Sequence, residues 1–265
     1  MQWNHARRAA TLLRALGAAI GALLLSASCA HPPAESTKLR IAAAADLKFA
    51  LDELSVQFRR ANPAIAVEPT YGSSGNFYSQ IAQGAPFDLF LSADLDYPRR
   101  LLGRKIGAAD SLFSYGAGRI VVWVPSDSKL DPATALRDPS LRRLSIANPA
   151  HAPYGRAAQA AMRSMGVYDA LQTKLVLGEN IAQAFEFAET GAADAGIVAL
   201  SLAVAPRAAG RGRYWEIPQS AFPRMDQGGL ILKDSPGARA FREFLLSAAA
   251  RDTLKRFGFF APEQR

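Results

Sequence analysis

Ser73 and Ser74 stand between Gly72 and Gly75 in the stretch YGSSGNF, residues 71–77, just ahead of a helix-like run. Two chemistries use small hydroxyls beside bare backbone. One is nucleophilic: a serine activated by a histidine and an acid attacks a carbonyl. The other is capture: hydroxyl and amide donors wrap a ligand that is held without reaction. GSSG lacks the spacing of the G-x-S-x-G elbow that lifts a catalytic serine off a strand. A triad of Ser73 or Ser74 with His151 and an Asp would make the chain a secreted hydrolase, but no spacing supports it. His151, in PAHAPYG, reads as an exposed loop residue, and His31 lies close to the N-terminus.

Metal and nucleotide chemistry have little to stand on. There is no HExxH, no CxxC and no pair of histidines at ligand spacing. Tyr71, Tyr78, Tyr154 and Asp46 offer oxygen atoms for a hard cation such as ferric iron, although tyrosines beside helices more often pack. Neither G-x-G-x-x-G nor G-x-x-x-x-G-K occurs, so no phosphate loop is indicated.

The elements that must position these residues alternate. LRIAAAA (Leu39–Ala45) reads as a buried strand, and Leu47, Leu51, Leu54 and Phe58 then share one helical face. AIAVEPTY, DLFLSAD, RIVVWVP, RLSIANP, KLVLG, AGIVAL and GGLILKD are further strands, separated by helix-like runs such as PYGRAAQAAMRSMG, which Gly166 closes. Such alternation predicts a parallel α/β architecture. Four helix starts follow strand ends. Asp46 and Ser74 are expected caps, Pro153 sits in a first turn, and Asn180 is an expected cap before Ile181. Helix starts carry unpaired N–H groups and the positive end of the dipole. In open sheets they gather at the carboxyl edge, where ligands bind.

The N-terminal segment 1–30 has a basic start (Arg7, Arg8, Arg14), an apolar run from Ala15 to Leu25 and small residues at its end, the pattern of an export signal. The only cysteine is Cys29. LSASC resembles the lipobox of bacterial lipoproteins, with Ser26 where that motif prefers Leu, so Cys29 is a candidate lipid anchor. Ordinary cleavage near Ala30 is the alternative. The following stretch reads as a tether, residues 31–38. The composition, 49% hydrophobic and 20% charged, is that of a globular protein. Net charge is +8, and about +5 without the signal. The basic pairs Arg59–Arg60, Arg99–Arg100 and Arg142–Arg143 are scattered and not interleaved with aromatics, which argues against a nucleic-acid partner.

AAAADLKFALDEL, YGSSGNFYSQIAQGAPFDLFLSAD, IANPAHAPYG, GENIAQAFEFAETGAADAGIVAL and LKRFGFF occur in an order and spacing that resemble the molybdate-binding proteins of bacterial ABC importers. The resemblance runs from Leu39 to Phe260. It implies a two-lobed α/β fold of the periplasmic binding protein kind (type II), each lobe a central sheet flanked by helices, with the ligand cleft between lobes. Lobe I would be 39–118 with 219–265, and lobe II 119–218, with crossings near Ala117–Arg119 and Ile217–Ala221. It also implies a monomer that is not an enzyme, works in the periplasm, uses no cofactor, holds molybdate or tungstate, and hands it to a membrane permease. Ligand positions carry over onto Ala45 or Asp46, Ser74, Tyr154 and Ile181. The same fold holding another anion or ferric iron is the alternative.

Two positions depart from the pattern. The family offers Ser, Thr or Asn where this chain has Ala45–Asp46, and one branch places a tyrosine where this chain has Ala199. Tyr154 is the candidate to replace that hydroxyl. A carboxylate about 4 Å from one unit of ligand charge is repelled by about 4 kcal/mol at an effective dielectric near 20. Three outcomes are open for Asp46. It caps its own helix and faces away, it accepts from a protonated oxyanion, or the ligand is a different one. The first is favoured, because an N-cap stabilises Asp.

Overall fold

A strand–helix alternation runs through the whole computed structural model, which describes residues 37–262. The expected export segment with Cys29, and the expected tether as far as Ser36, lie outside the described residues; Thr37 and Lys38, the last two residues of that tether, are instead the first of a strand, because they pair with Ile65 and Ala66. The chain begins with β1 (Thr37–Ala44) and a 3-10 turn (Ala45–Leu47) that runs into α1 (Lys48–Ala61). Next come β2 (Ile65–Gly72), α2 (Ser74–Ala82), β3 (Leu89–Ser92), α3 (Asp96–Gly103) and β4 (Phe113–Gly118). A second set follows: β5 (Ile120–Pro125), β6 (Leu144–Ala147), α4 (Pro153–Ser164), α5 (Tyr168–Leu171), β7 (Leu175–Gly178), α6 (Ile181–Glu189), β8 (Ala195–Ala199), α7 (Leu200–Ala203) and β9 (Gly212–Glu216). Then β10 (Met225–Ile231), α8 (Pro236–Leu245) and α9 (Ala248–Arg256) complete the fold.

Two five-stranded sheets result, in the orders β2-β1-β3-β10-β4 and β7-β6-β8-β5-β9. The sheets are mixed rather than parallel. β10 is antiparallel to β3 and β4, and β5 is antiparallel to β8 and β9. The reason is the route of the chain. β4 and β9 run out toward the facing sheet, so the strands that arrive from it, β5 and β10, must run back the other way. The sequence reading does not include β4 or β9. FSYGAG carries two glycines, and GRYWE is mostly exposed, so neither shows a strand's apolar signal.

Burial follows the periodicities. α1 turns Ala50, Leu51, Leu54 and Phe58 inward, and Phe58 meets Phe241 edge-on at 4.9 Å. Trp123 of β5 packs edge-on against Phe185 of α6 at 5.2 Å. The core around the second sheet continues into Ala44, Ala45 and Ala93 of the first. The two lobes are therefore closed on one another.

Register positions the site. β1 pairs with β2 from Thr37↔Ile65 to Ala44↔Gly72, so both strands end level and Ala45 and Ser73 leave the same edge. In the facing sheet Ala147 pairs with Gly178, which puts the starts of α4 and α6 at one edge.

Candidate functional site

Those strand ends face each other across a recess lined by Ala44, Ala45, Asp46, Gly72, Ser73, Ser74, Ala93, Ala152, Pro153, Tyr154 and Ile181. All five residues singled out from sequence are on it. With the lobes closed its cavity volume is about 10 Å³, and no lysine, arginine or histidine is on its lining. Sites for organic ligands run to roughly 300–1,000 Å³, so the recess is far too tight for one, and a larger guest than a water molecule needs the lobes to part slightly.

The helix starts are built so that particular amides remain for the recess. Ser73, not Ser74, caps α2: its Oγ accepts from Asn76 N. The amide of Gly75 donates to His151 O at 2.9 Å. Neither bond uses the amide of Ser74, the first residue of the helix. Ser74 Oγ accepts from Ala93 N at 3.0 Å, which fixes the oxygen and leaves its proton to donate. Asn180 caps α6 as expected, accepting from Ala182 N and Gln183 N at 3.0 and 3.1 Å. That cap does not use the amide of Ile181. Pro153 opens α4, with Tyr154 next.

Asp46 does not cap a helix, contrary to the favoured sequence expectation. Neither the 3-10 turn nor α1 has a side-chain cap. The carboxylate is instead the centre of a buried network joining the lobes. Oδ2 accepts from Gln227 Nε2 at 2.7 Å and from the Tyr154 hydroxyl at 3.0 Å. Gln227 Nε2 also lies 3.1 Å from that hydroxyl, and Tyr115 holds the other end of the amide at 2.9 Å. Oδ1 is buried without a partner. Asp46 is 1% exposed, and burial pushes its carboxyl up to about 6 against the pull of Gln227 and Tyr154. Burial, then the Asp46 charge, raises Tyr154 and Tyr115 well above the usual phenol range. Gly118 makes the network sterically possible: a Cβ there would strike the Tyr154 hydroxyl and approach Gln227 Nε2 to 2.7 Å.

His151 is not an exposed loop residue. Its ring is 20% exposed and bridges the lobes, with Nδ1 2.9 Å from Ser73 Oγ and Nε2 3.5 Å from Glu179 Oε2. Asn76 Nδ2 also donates to Glu179 Oε1. The structure thus brings Ser73 and His151 together, but as a clasp. Ser73 Oγ is occupied as the cap of α2. On the far side of the recess Arg156 of α4 reaches Asp94, which follows β3, at 2.7 Å. Burial raises the Asp94 carboxyl, and Arg156 opposes the rise.

The oxygen set considered for a cation is not assembled. Tyr71 donates to Asp52, Tyr78 lies under Arg100, and only Tyr154 reaches Asp46. Gln227, Glu179, Asn76 and Arg156 escaped the sequence reading. Gln227 is fully buried in β10 and must find partners, but the charged Asp226 beside it makes this strand start look solvent-facing in the sequence.

Residues 39–260 match the family described as bacterial extracellular solute-binding protein. Over 251 residues the chain is 36% identical to the molybdate-binding protein ModA of Azotobacter vinelandii, spanning 93% of this chain and 97% of that one. Over 230 residues it is 34% identical to the molybdate-binding protein ModA of Rhodobacter capsulatus, spanning 86% and 90%. The solved structure of the Azotobacter vinelandii periplasmic molybdate-binding protein superposes with a TM-score of 0.80 at 30% identity, over 85% of this chain and 100% of that one. The architecture is that of the two-lobed periplasmic binding proteins, type II, with mixed sheets flanked by helices. Proteins of this kind carry solutes and are not catalysts. Closed lobes, paired sheets and a recess at the helix starts thus go with the sequence match: the chain belongs to the bacterial extracellular solute-binding protein family.

Proposed function

We propose that the protein captures a tetrahedral oxyanion, molybdate or tungstate, between its lobes in the periplasm and delivers it to the membrane permease of an ABC importer. One observation carries the reading: four helix starts converge on a small recess that has no cationic side chain. Their first-turn N–H groups and aligned dipoles favour an anion. Neutral donors replace the water shell without the cost of burying a countercharge, several kcal/mol per ion, and they permit release. Lobe I (39–118 with 219–265) contributes Ala45, Asp46 and Ser74, and lobe II (119–218) contributes Tyr154 and Ile181. All contacts go to oxyanion oxygens, so no side chain ligates the metal centre and no further cofactor is required. Molybdate is favoured because both relatives described above are molybdate-binding proteins.

Calorimetric titration of the mature protein with molybdate, tungstate, sulfate, phosphate and ferric citrate tests this. Heat is expected with molybdate and tungstate, and heat with the iron complex alone would overturn the assignment. Ser74→Ala removes a hydrogen bond to a charged ligand, worth about 1.5–3 kcal/mol, and should weaken binding by roughly 10- to 100-fold. His151→Ala removes one clasp contact while the backbone bond from Gly75 remains, so the expected loss is less than about tenfold.

The protein acts as a monomer, tethered through a lipid on Cys29. Cys29→Ser should move it from the membrane fraction to the soluble periplasmic fraction, and an unchanged distribution would remove the anchor from the account.

A further inference from the structure

Asp46 is the only acidic residue on the lining of the recess, and capture of an anion gives its carboxylate no task. Among the described residues no cation pairs with it, and the backbone amides of Asp46 and Leu47 offset its burial only in part. Oδ2 is bound by the neutral groups of Gln227 and Tyr154, and Oδ1 is buried with no partner. A dianion on the amides of Ser74 and Ile181 places further negative charge in the same closed space, again with no cation beside it. The two charges cannot share it without a proton, as with carboxylates that share a site.

We propose that the site takes up one proton from solvent for each oxyanion it closes on, and that the proton is held on Oδ1 of Asp46. The inference rests on the oxyanion reading of the recess. An O–H bond forms on the carboxylate, no bond of the oxyanion breaks, and the new hydroxyl donates to an oxyanion oxygen. A repulsive group becomes a donor, and a water-facing dianion becomes a ligand of a site one charge less negative.

The surroundings support this. Burial already raises the Asp46 carboxyl to about 6 before any ligand arrives. Facing it are Tyr154 from α4, Tyr115 from β4 and Gln227 from β10, and Ser201 from α7 donates to its backbone carbonyl at 2.8 Å. Lys48 of α1 and Glu186 and Glu189 of α6 line a separate outer recess with Arg207 and Arg211. Tyr71 of β2 is turned to Asp52. The Asp94 charge acts on Tyr115 and is itself paired with Arg156. The remaining ionisable group at the cleft is His151, bonded to Ser73 and Glu179.

Inorganic molybdate is titrated into the mature protein from pH 6.5 to 8.5, in buffers of different ionisation heat. Close to one proton taken up per ion is expected, with Kd rising about tenfold per pH unit, roughly 100-fold over the range. Asp46→Asn keeps an acceptor toward Tyr154 and Gln227 and puts a permanent N–H where Oδ1 lies. Its Kd should be flat with pH and its proton uptake near zero. Wild-type binding that is flat with pH and takes up no proton overturns the inference while the transport reading stands. A pH dependence that survives in Asp46→Asn also overturns it, because the proton is then held elsewhere in the complex. No heat with molybdate, tungstate or sulfate at any pH overturns both.

Discussion

Alanine at position 75 weakens oxyanion binding by roughly 100-fold and leaves the fold intact. Gly75 is in the first turn of α2, with the facing lobe's His151 against it. A Cβ there would collide with the His151 carbonyl oxygen and lie 2.6 Å from the Tyr97 hydroxyl and 3.0 Å from His151 Cα. Two of these are backbone atoms, which yield only if the lobes part. The Gly75 N to His151 O bond parts with them. Overpacking costs typically 1–3 kcal/mol, and the lost bond adds about 1 kcal/mol. The total is about two powers of ten in Kd. The strain falls on closure, so each lobe keeps its core. Calorimetry gives the affinity, and small-angle scattering should show that ligand no longer compacts the variant. Gly103→Ala is the control, because a Cβ there meets nothing within 4 Å. A Kd for Gly75→Ala within threefold of wild type would mean that this contact does not accompany capture.

Asp46→Asn stabilises the ligand-free protein by about 2 kcal/mol at pH 8, and the gain disappears by pH 4. The folded protein keeps its Asp46 proton up to about pH 6, whereas an unfolded chain releases it near 3.9. Between those values the folded state binds more protons, so stability falls as pH rises through the window and stays low above it. The cost at neutral pH is about 3 kcal/mol. Asparagine avoids it but buries an N–H that has no acceptor in the empty site, which returns about 1 kcal/mol. Urea unfolding of both proteins at pH 8, 6 and 4 reads the difference directly. A variant less stable than wild type at pH 8 would show that the carboxylate's hydrogen bonds outweigh its burial.

Much of the fold was legible because it is written locally. The spacing of Leu51, Leu54 and Phe58 announces α1, and Asn180 ahead of Ile181 announces α6 and its cap. The site residues were recognisable in their blocks, but their roles were not. Ser73 and Ser74 are equivalent to any local rule. What makes the first one the cap is that β2 ends at Gly72, paired with Ala44, so the helix begins at Ser74. Asp46 follows a strand and precedes a helix, the usual place for a cap. Its partners Tyr154 and Gln227 are 108 and 181 residues away, on the other lobe and on the returning strand. The clasp between Ser73 and His151 spans 78 residues. Local propensity is silent about bonds of that range, and the antiparallel direction of β5 and β10, both legible as strands, was hidden for the same reason. Their direction is set by where the chain has just been.

The placement of β10 bears on how the molecule is made. This strand lies between β3 and β4, yet the whole second sheet is synthesised before it. Until it emerges, β4 has no neighbour and the Asp46 carboxylate lacks the Gln227 amide. The first sheet is thus a late product of assembly, completed by pairing that waits for almost the entire polypeptide. Non-local pairing of this kind is slow, and a chain that delays its own folding stays threadable for longer, as passage through a translocation pore requires.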